Sequence, residues 1–130
     1  MTIQLDFDGT VVEHAYPEIG LPNPEAFKVL LSLKEKDHKI ILNTMRANFK
    51  NDSLNEAIAY LENNGFKFLD SEINHEKIQP VEWNMTSADS DVIFIDDIAK
   101  DIPLIRSSKV NGYMVDWIEL EKQLIEMNIL

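Results

Sequence analysis

Apolar and polar positions along the chain switch between a period near two and a period near 3.6, and the switches mark the elements. Ile3–Phe7 alternates and then turns short and acidic, which predicts a strand ending at Asp6–Asp8. Thr10–Pro22 holds Pro17, Gly20 and Pro22 with no steady period and predicts a loop or small hairpin. Asn23-Pro24 predicts a helix start, Asn as cap and Pro in the first turn, with Phe27, Leu30, Leu31 and Lys34 at helical spacing. Lys39–Leu42 is a short run of strand type. Ser53–Glu56 has capping-box spacing ahead of a stripe of Leu54, Ile58 and Leu61, and Gly65 stops that helix. Phe66–Leu69 predicts a third strand, and residues 71–90 have little period. Val92–Ile95 is a continuous apolar run, as in a strand buried on both faces. A short helix near Asp101–Ser108, a strand at Tyr113–Val115 and a helix opened by Asp116–Glu119, with Leu120, Leu124 and Met127, complete the chain. Strands alternating with helices predict an α/β fold with a mainly parallel central sheet and helices on both faces.

Length and charge narrow the function. The 130 residues suit one domain, 1–130, with residues 10–22 as a small flap. With 45% apolar residues the chain has a core despite a net charge of −11, from 12 basic and 23 acidic residues. That charge argues against nucleic acid and anionic membrane as partners. Zero Cys excludes disulfides, thiolate metal sites and a cysteine nucleophile. The start is acidic by position 6 and has no basic stretch, so no signal peptide is expected, and no apolar run nears the roughly 20 residues of a membrane span. A cytoplasmic location follows as the expectation. Oligomeric state has no signature in the sequence.

The acids are arranged. In parallel α/β sheets, ligands bind at the carboxyl ends of the strands. Three segments fall there: Asp6-Phe7-Asp8-Gly9-Thr10, Asn43-Thr44-Met45-Arg46, and Asp96-Asp97. Four carboxylates, Asp6, Asp8, Asp96 and Asp97, converging at one edge repel one another unless a cation joins them. A set of oxygen ligands suits Mg²⁺, which retains waters and accepts phosphate. Asp6 is placed to attack a phosphoryl group, and Asp8 to protonate the leaving oxygen and deprotonate a water. Gly9 permits a sharp turn near the phosphate. The Thr44 hydroxyl and nearby backbone N–H groups are candidates for the phosphoryl oxygens. Arg46 suits either a substrate phosphate or neighbouring acids. Glu13 and His14 lie in the flap, and Asp101 is either a further site acid or a helix cap. Trp83 and Trp117 read as packing residues, and His38 and His75 as surface residues.

The segment Asp6–Thr10 after an apolar strand resembles the first motif of the haloacid dehalogenase (HAD) superfamily. Leu42-Asn43-Thr44 is similar to its second motif, and Val92–Asp97 to its fourth in the double-Asp form. The order matches over nearly the whole chain. Thr10–Gly20 and Thr44-x-Arg46 further resemble a small, largely uncharacterised bacterial subgroup of hydrolase-like proteins. The resemblance implies a three-layer α/β/α Rossmann-like fold and a phosphatase working through an aspartyl phosphate. It makes Asp6 the nucleophile, Asp8 the acid/base and Thr44 a phosphate ligand. Gly9, Thr10, Asn43 and Arg46 fall at substrate-binding positions. Mg²⁺ would be held by Asp6, the Asp8 carbonyl and Asp97, with Asp96 behind it. The substrate would be a small phosphorylated molecule or a phosphorylated macromolecule.

The chain departs from the superfamily at the third motif, a Lys shortly before the fourth-motif strand. No residue from Ile78 to Ile95 is basic, and the corresponding window reads Thr86-Ser87-Ala88-Asp89-Ser90. Lys77, Lys100 and Arg46 are the candidate substitutes, with Lys77 preferred. Loss of one such donor costs about 2–4 kcal/mol of transition-state stabilisation, so the alternative is a HAD-like protein that binds a metal, a phosphoryl ligand or a protein partner with little turnover. A phosphorelay receiver also joins acids, Mg²⁺ and an aspartyl phosphate, but its phosphorylated Asp follows the third strand, where this chain has only Asp70. The stretches before Asn23 and between Gly65 and Asp91 are too short for a cap domain.

Overall fold

A computed structural model of the chain describes residues 1–83, 91–109 and 111–130. The window Thr86–Ser90 lies outside these. The fold is α/β. Strand β1 (Thr2–Leu5) runs parallel to β2 (Lys39–Leu42) on one side and β3 (Val92–Ile95) on the other. β1 is central and buried along Ile3, Gln4 and Leu5, which explains why its neighbours are short apolar runs.

Register sets the site. Leu5 pairs with Leu42 and with Ile95, so the three strands end level. One residue further on, the Asn43 N–H donates to the Leu5 carbonyl at 2.7 Å and the Asp6 N–H to the Ile95 carbonyl at 3.0 Å. Asp6, Asn43 and Asp96 therefore leave the sheet side by side.

Three helices accompany the sheet: α1 (Ala26–Glu35), α2 (Ser53–Asn63) and α3 (Trp117–Glu126). α1 buries Ala26, Val29, Leu30 and Leu33; Leu31 and Lys34, expected in its stripe, face solvent. It starts later than predicted, because Glu25 adopts a left-handed φ of 70°. Asn23 does not cap it with its side chain. Instead Asn23 Nδ2 donates to the carbonyls of Thr10 and Val115, tying the flap to the last strand. α2 ends at Gly65, φ 91°, as its sequence predicts. α3 is capped by Asp116, whose side chain accepts from the Glu119 N–H.

Two predicted elements differ. Phe66–Leu69 forms no strand. The alternation of buried Phe66 and half-buried Phe68 is real, but its backbone donors are used locally. The Phe66 N–H returns to Leu61, and the Leu69 N–H donates to the Glu72 side chain at the head of a short turn of helix, Asp70–Glu72. The sheet edge is instead met by a single parallel bridge between Leu42 and Ile73. The expected helix near Asp101–Ser108 is replaced by a strand, β4 (Leu104–Arg106), antiparallel to β5 (Tyr113–Val115). At the hairpin's end the Ser107 N–H donates to the Gly112 carbonyl at 2.9 Å, and Asn111 has φ 60°. The flap is closed by Val12, which bridges Asp8 and Pro22. Among the described residues no helix is long and apolar enough to cross a membrane.

Candidate active site

Asp6 sits 4% exposed at the end of β1, and its two oxygens are held from two sides. Thr10 Oγ1 donates to Oδ2 at 2.8 Å, and Lys77 Nζ donates to Oδ1 at 3.4 Å. Lys77 Nζ also forms an ion pair with Asp96 Oδ2 at 2.9 Å. That oxygen is shut off from solvent, and the Lys77 ammonium is the charge that faces it. Asp97 completes the group: its backbone N–H donates to Thr10 Oγ1 at 3.2 Å, and its Oδ2 is 2.7 Å from His14 Nε2.

Carboxylate oxygens of Asp6, Asp96 and Asp97 all lie within 4.8 Å of one another. Three carboxylates face one ammonium and the His14 imidazole, so negative charge is in excess. Burial pushes the Asp6 carboxyl well above its ordinary range, Asp96 and Asp97 push it further, and Lys77 offsets only part. Burial likewise raises Asp96 against the pull of Lys77. Burial would raise Asp97 too, but hydrogen bonds from His14 and Asp6 outweigh it and hold Asp97 below its ordinary value. Burial lowers Lys77, yet Asp6 and Asp96 prevail and hold its ammonium charged. The His14 imidazolium is favoured, first by its hydrogen bond to Asp97. A hard divalent cation fits this donor set: every ligand is an oxygen, and the three carboxylates outnumber the one ammonium beside them.

A pocket of about 210 Å³ opens onto the cluster, lined by Asp6, Asp8, His14, Thr44, Lys77 and Asp97, with Met45 and Ile98 also in its walls. Lys77 reaches it because its strap is pinned to the sheet end. Asn43 Oδ1 accepts from the Ile78 N–H and from Asn74 Nδ2, Asn43 Nδ2 donates to the Ile78 carbonyl, and Asn48 Oδ1 accepts from the Lys77 N–H. Lys100, the other lysine candidate, pairs with Glu82 instead.

Several residues serve other purposes than their sequence positions suggest. Arg46, a candidate substrate clamp, is fully buried. Its Nε and one terminal nitrogen grip both oxygens of Asp8, at 2.8 and 2.7 Å. Its remaining N–H groups reach the carbonyls of Pro17, Glu18 and Ser53, and its plane lies between the rings of Phe7 and Tyr16. All five donors are used, which leaves none for substrate. Asn43 and Thr10 are likewise fully buried and hold neighbours rather than the pocket. Asp8 lines the pocket, but its carboxylate is held by Arg46 and lies outside the three-acid cluster.

Gly9 has φ 80°, and a Cβ there would strike the His14 ring and Asp97 Oδ2. Thr44 faces the pocket while its Oγ1 accepts from the Arg46 N–H. Asp101 stands apart, exposed and at φ 66°. Trp83 and Trp117 are buried and donate to Gln123 and to the Thr10 carbonyl. His75 is exposed, but His38 is half-buried against the Ile129 carbonyl. His14 is the site residue whose sequence carried least signal, a lone histidine in an irregular loop. Glu13 beside it accepts from Ser108 and takes no part in the pocket.

The chain is similar to the solved structure of a conserved protein coded by a locus of Bacteroides thetaiotaomicron, at 32% identity over 98% of this chain and 91% of that one, with a TM-score of 0.64. With that identity and coverage, the chain belongs to the same family as that protein. No protein-family model and no curated protein matches it.

Proposed function

We propose that the chain is a Mg²⁺-dependent phosphohydrolase of the HAD type, with a three-layer fold and no cap, acting through an aspartyl phosphate on Asp6. The observation that carries this reading is the Lys77 ammonium, 3.4 Å from Asp6 and 2.9 Å from Asp96. It supplies, from upstream of the usual place, the positive charge that such a site needs beside its nucleophile.

An Asp6 oxygen forms a bond to phosphorus as the ester P–O bond breaks, and the leaving oxygen takes a proton from Asp8. Asp8 then removes a proton from water, which attacks phosphorus and releases inorganic phosphate and the free Asp6 carboxylate. Thr44 contributes a hydroxyl to the phosphoryl oxygens, and Lys77 keeps Asp6 and Asp96 in place. Asp6, Asp97 and Asp96 would hold the divalent cation, which when bound supplies charge neutralisation for the phosphoryl oxygens.

One observation favours a second reading, a binder of metal or phosphoryl ligand with weak turnover: both oxygens of Asp8 are taken by Arg46. Steady phosphate release from p-nitrophenyl phosphate, dependent on Mg²⁺ and lost in Asp6→Asn, supports the first reading. Mg²⁺ binding with no release from a panel of phosphoesters supports the second.

A further inference from the structure

A second pocket, of about 170 Å³, lies at the opposite end of β2 from the acid cluster. Its walls carry Lys34, Lys39 and Lys67, with His38 and the aromatic rings of Phe66 and Phe68. A chain of net charge −11 has brought three of its 12 basic residues to one cavity. None of the three lysines has a carboxylate within ion-pair distance among the described residues, as is also true of Lys36, Lys50 and Lys109. The lone acid in the wall, Glu72, spends an oxygen on the Leu69 N–H.

The rest of the wall is equally specific. Lys34 Nζ stands 5.7 Å from the centre of the Phe66 ring, so charge and aromatic surface adjoin. His38 Nε2 donates to the Ile129 carbonyl at 2.7 Å, while its buried Nδ1 has no partner among the described residues. Unpaired ammonium groups around an aromatic wall suit a ligand with an anionic group and a flat apolar body.

We propose that this pocket binds a small aromatic anion, at a site separate from the acid cluster. The lysines recognise the anionic group and the phenylalanines its ring. The pocket's wall from Phe66 to Glu72 runs on into the strap that carries Lys77, but the binding itself needs nothing from the acid cluster.

The test is an NMR titration of the metal-free full-length protein with benzoate at low ionic strength, following the ring resonances of His38, Phe66 and Phe68. Benzoate is expected to shift these saturably, with a Kd on the order of 1 mM. Neutral benzamide and ringless acetate are each expected to bind at least about tenfold more weakly. The exposed pair Lys39→Glu with Lys67→Glu should weaken benzoate by about tenfold or more. Lys36→Glu with Lys50→Glu, which changes net charge equally, should leave it within about twofold. Any of four results would overturn the proposal: no saturable shift, benzamide equal to benzoate, acetate equal to benzoate, or equal weakening by both charge-reversal pairs.

Discussion

Lys77 is the residue on which the site's electrostatics turn. Its side chain is 4% exposed and neutralises one of three crowded carboxylates. Lys77→Met leaves buried acids without their cation, and about 3–5 kcal/mol of stability is expected to go with it at neutral pH in the metal-free protein. Catalysis should fall by about 10²–10³-fold, the effect of removing one electrostatic donor. Urea unfolding and phosphate release measure the two losses separately. Arg46 differs in kind: its guanidinium fixes Asp8 and two flap carbonyls as one unit, and Arg46→Lys cannot replace a two-point grip on a carboxylate. Gly9→Ala puts a methyl group against His14 and Asp97 on a left-handed backbone. It is expected to cost at least about 1–2 kcal/mol and to weaken Mg²⁺ binding, both readable by thermal shift with and without the ion.

At the scale of elements, level strand ends create the site, and the strap from Asn74 to Ile78 completes it. Asn43 holds that strap through three hydrogen bonds. Asn43→Ala should cost about 2–3 kcal/mol at roughly 1 kcal/mol per bond, and turnover should drop because Lys77 is no longer pinned. Its kcat should suffer more than its KM, since no substrate contact is removed. Asp6, Asp8, Asp96 and Asp97 were legible because each ends an apolar run that the sheet must bury. Lys77 was reached only by elimination, since nothing local marks a lysine in an aperiodic segment. The hairpin of β4 and β5 was missed because Leu104–Arg106 is short and exposed, with no buried face to show as a period. The Phe66–Leu69 strand failed because alternating burial records which side chains face inward, not where backbone donors go.

For the whole molecule, the cluster makes stability depend on pH in an unusual direction. Unfolded, Asp6 ionises near its ordinary value of about 3.9; folded, it keeps its proton to higher pH. Between those values the folded state binds more protons, so stability falls as pH rises. Asp96, also raised, acts in the same sense. The raised His14 adds to it: its contribution is full below about 6.5 and is lost as pH rises through its folded value. The lowered Asp97 opposes this only in acid, where its stabilising hydrogen bonds disappear. Metal-free protein is therefore expected to gain stability from pH 8 down to about pH 5. Asp6→Asn should raise its Tm near pH 8, by about 2–5 °C, and flatten the profile. Mg²⁺ should stabilise the native protein near pH 8 and have much less effect on Asp6→Asn, as scanning calorimetry would record.

The central claim, a covalent phosphoryl transfer to Asp6, is tested most directly by acid-quenching the protein during turnover of p-nitrophenyl phosphate with Mg²⁺ and weighing its peptides by mass spectrometry. The account predicts a phosphoryl adduct on the peptide that contains Asp6, and neither adduct nor phosphate release in Asp6→Asn. Phosphate release that continues in Asp6→Asn would contradict it.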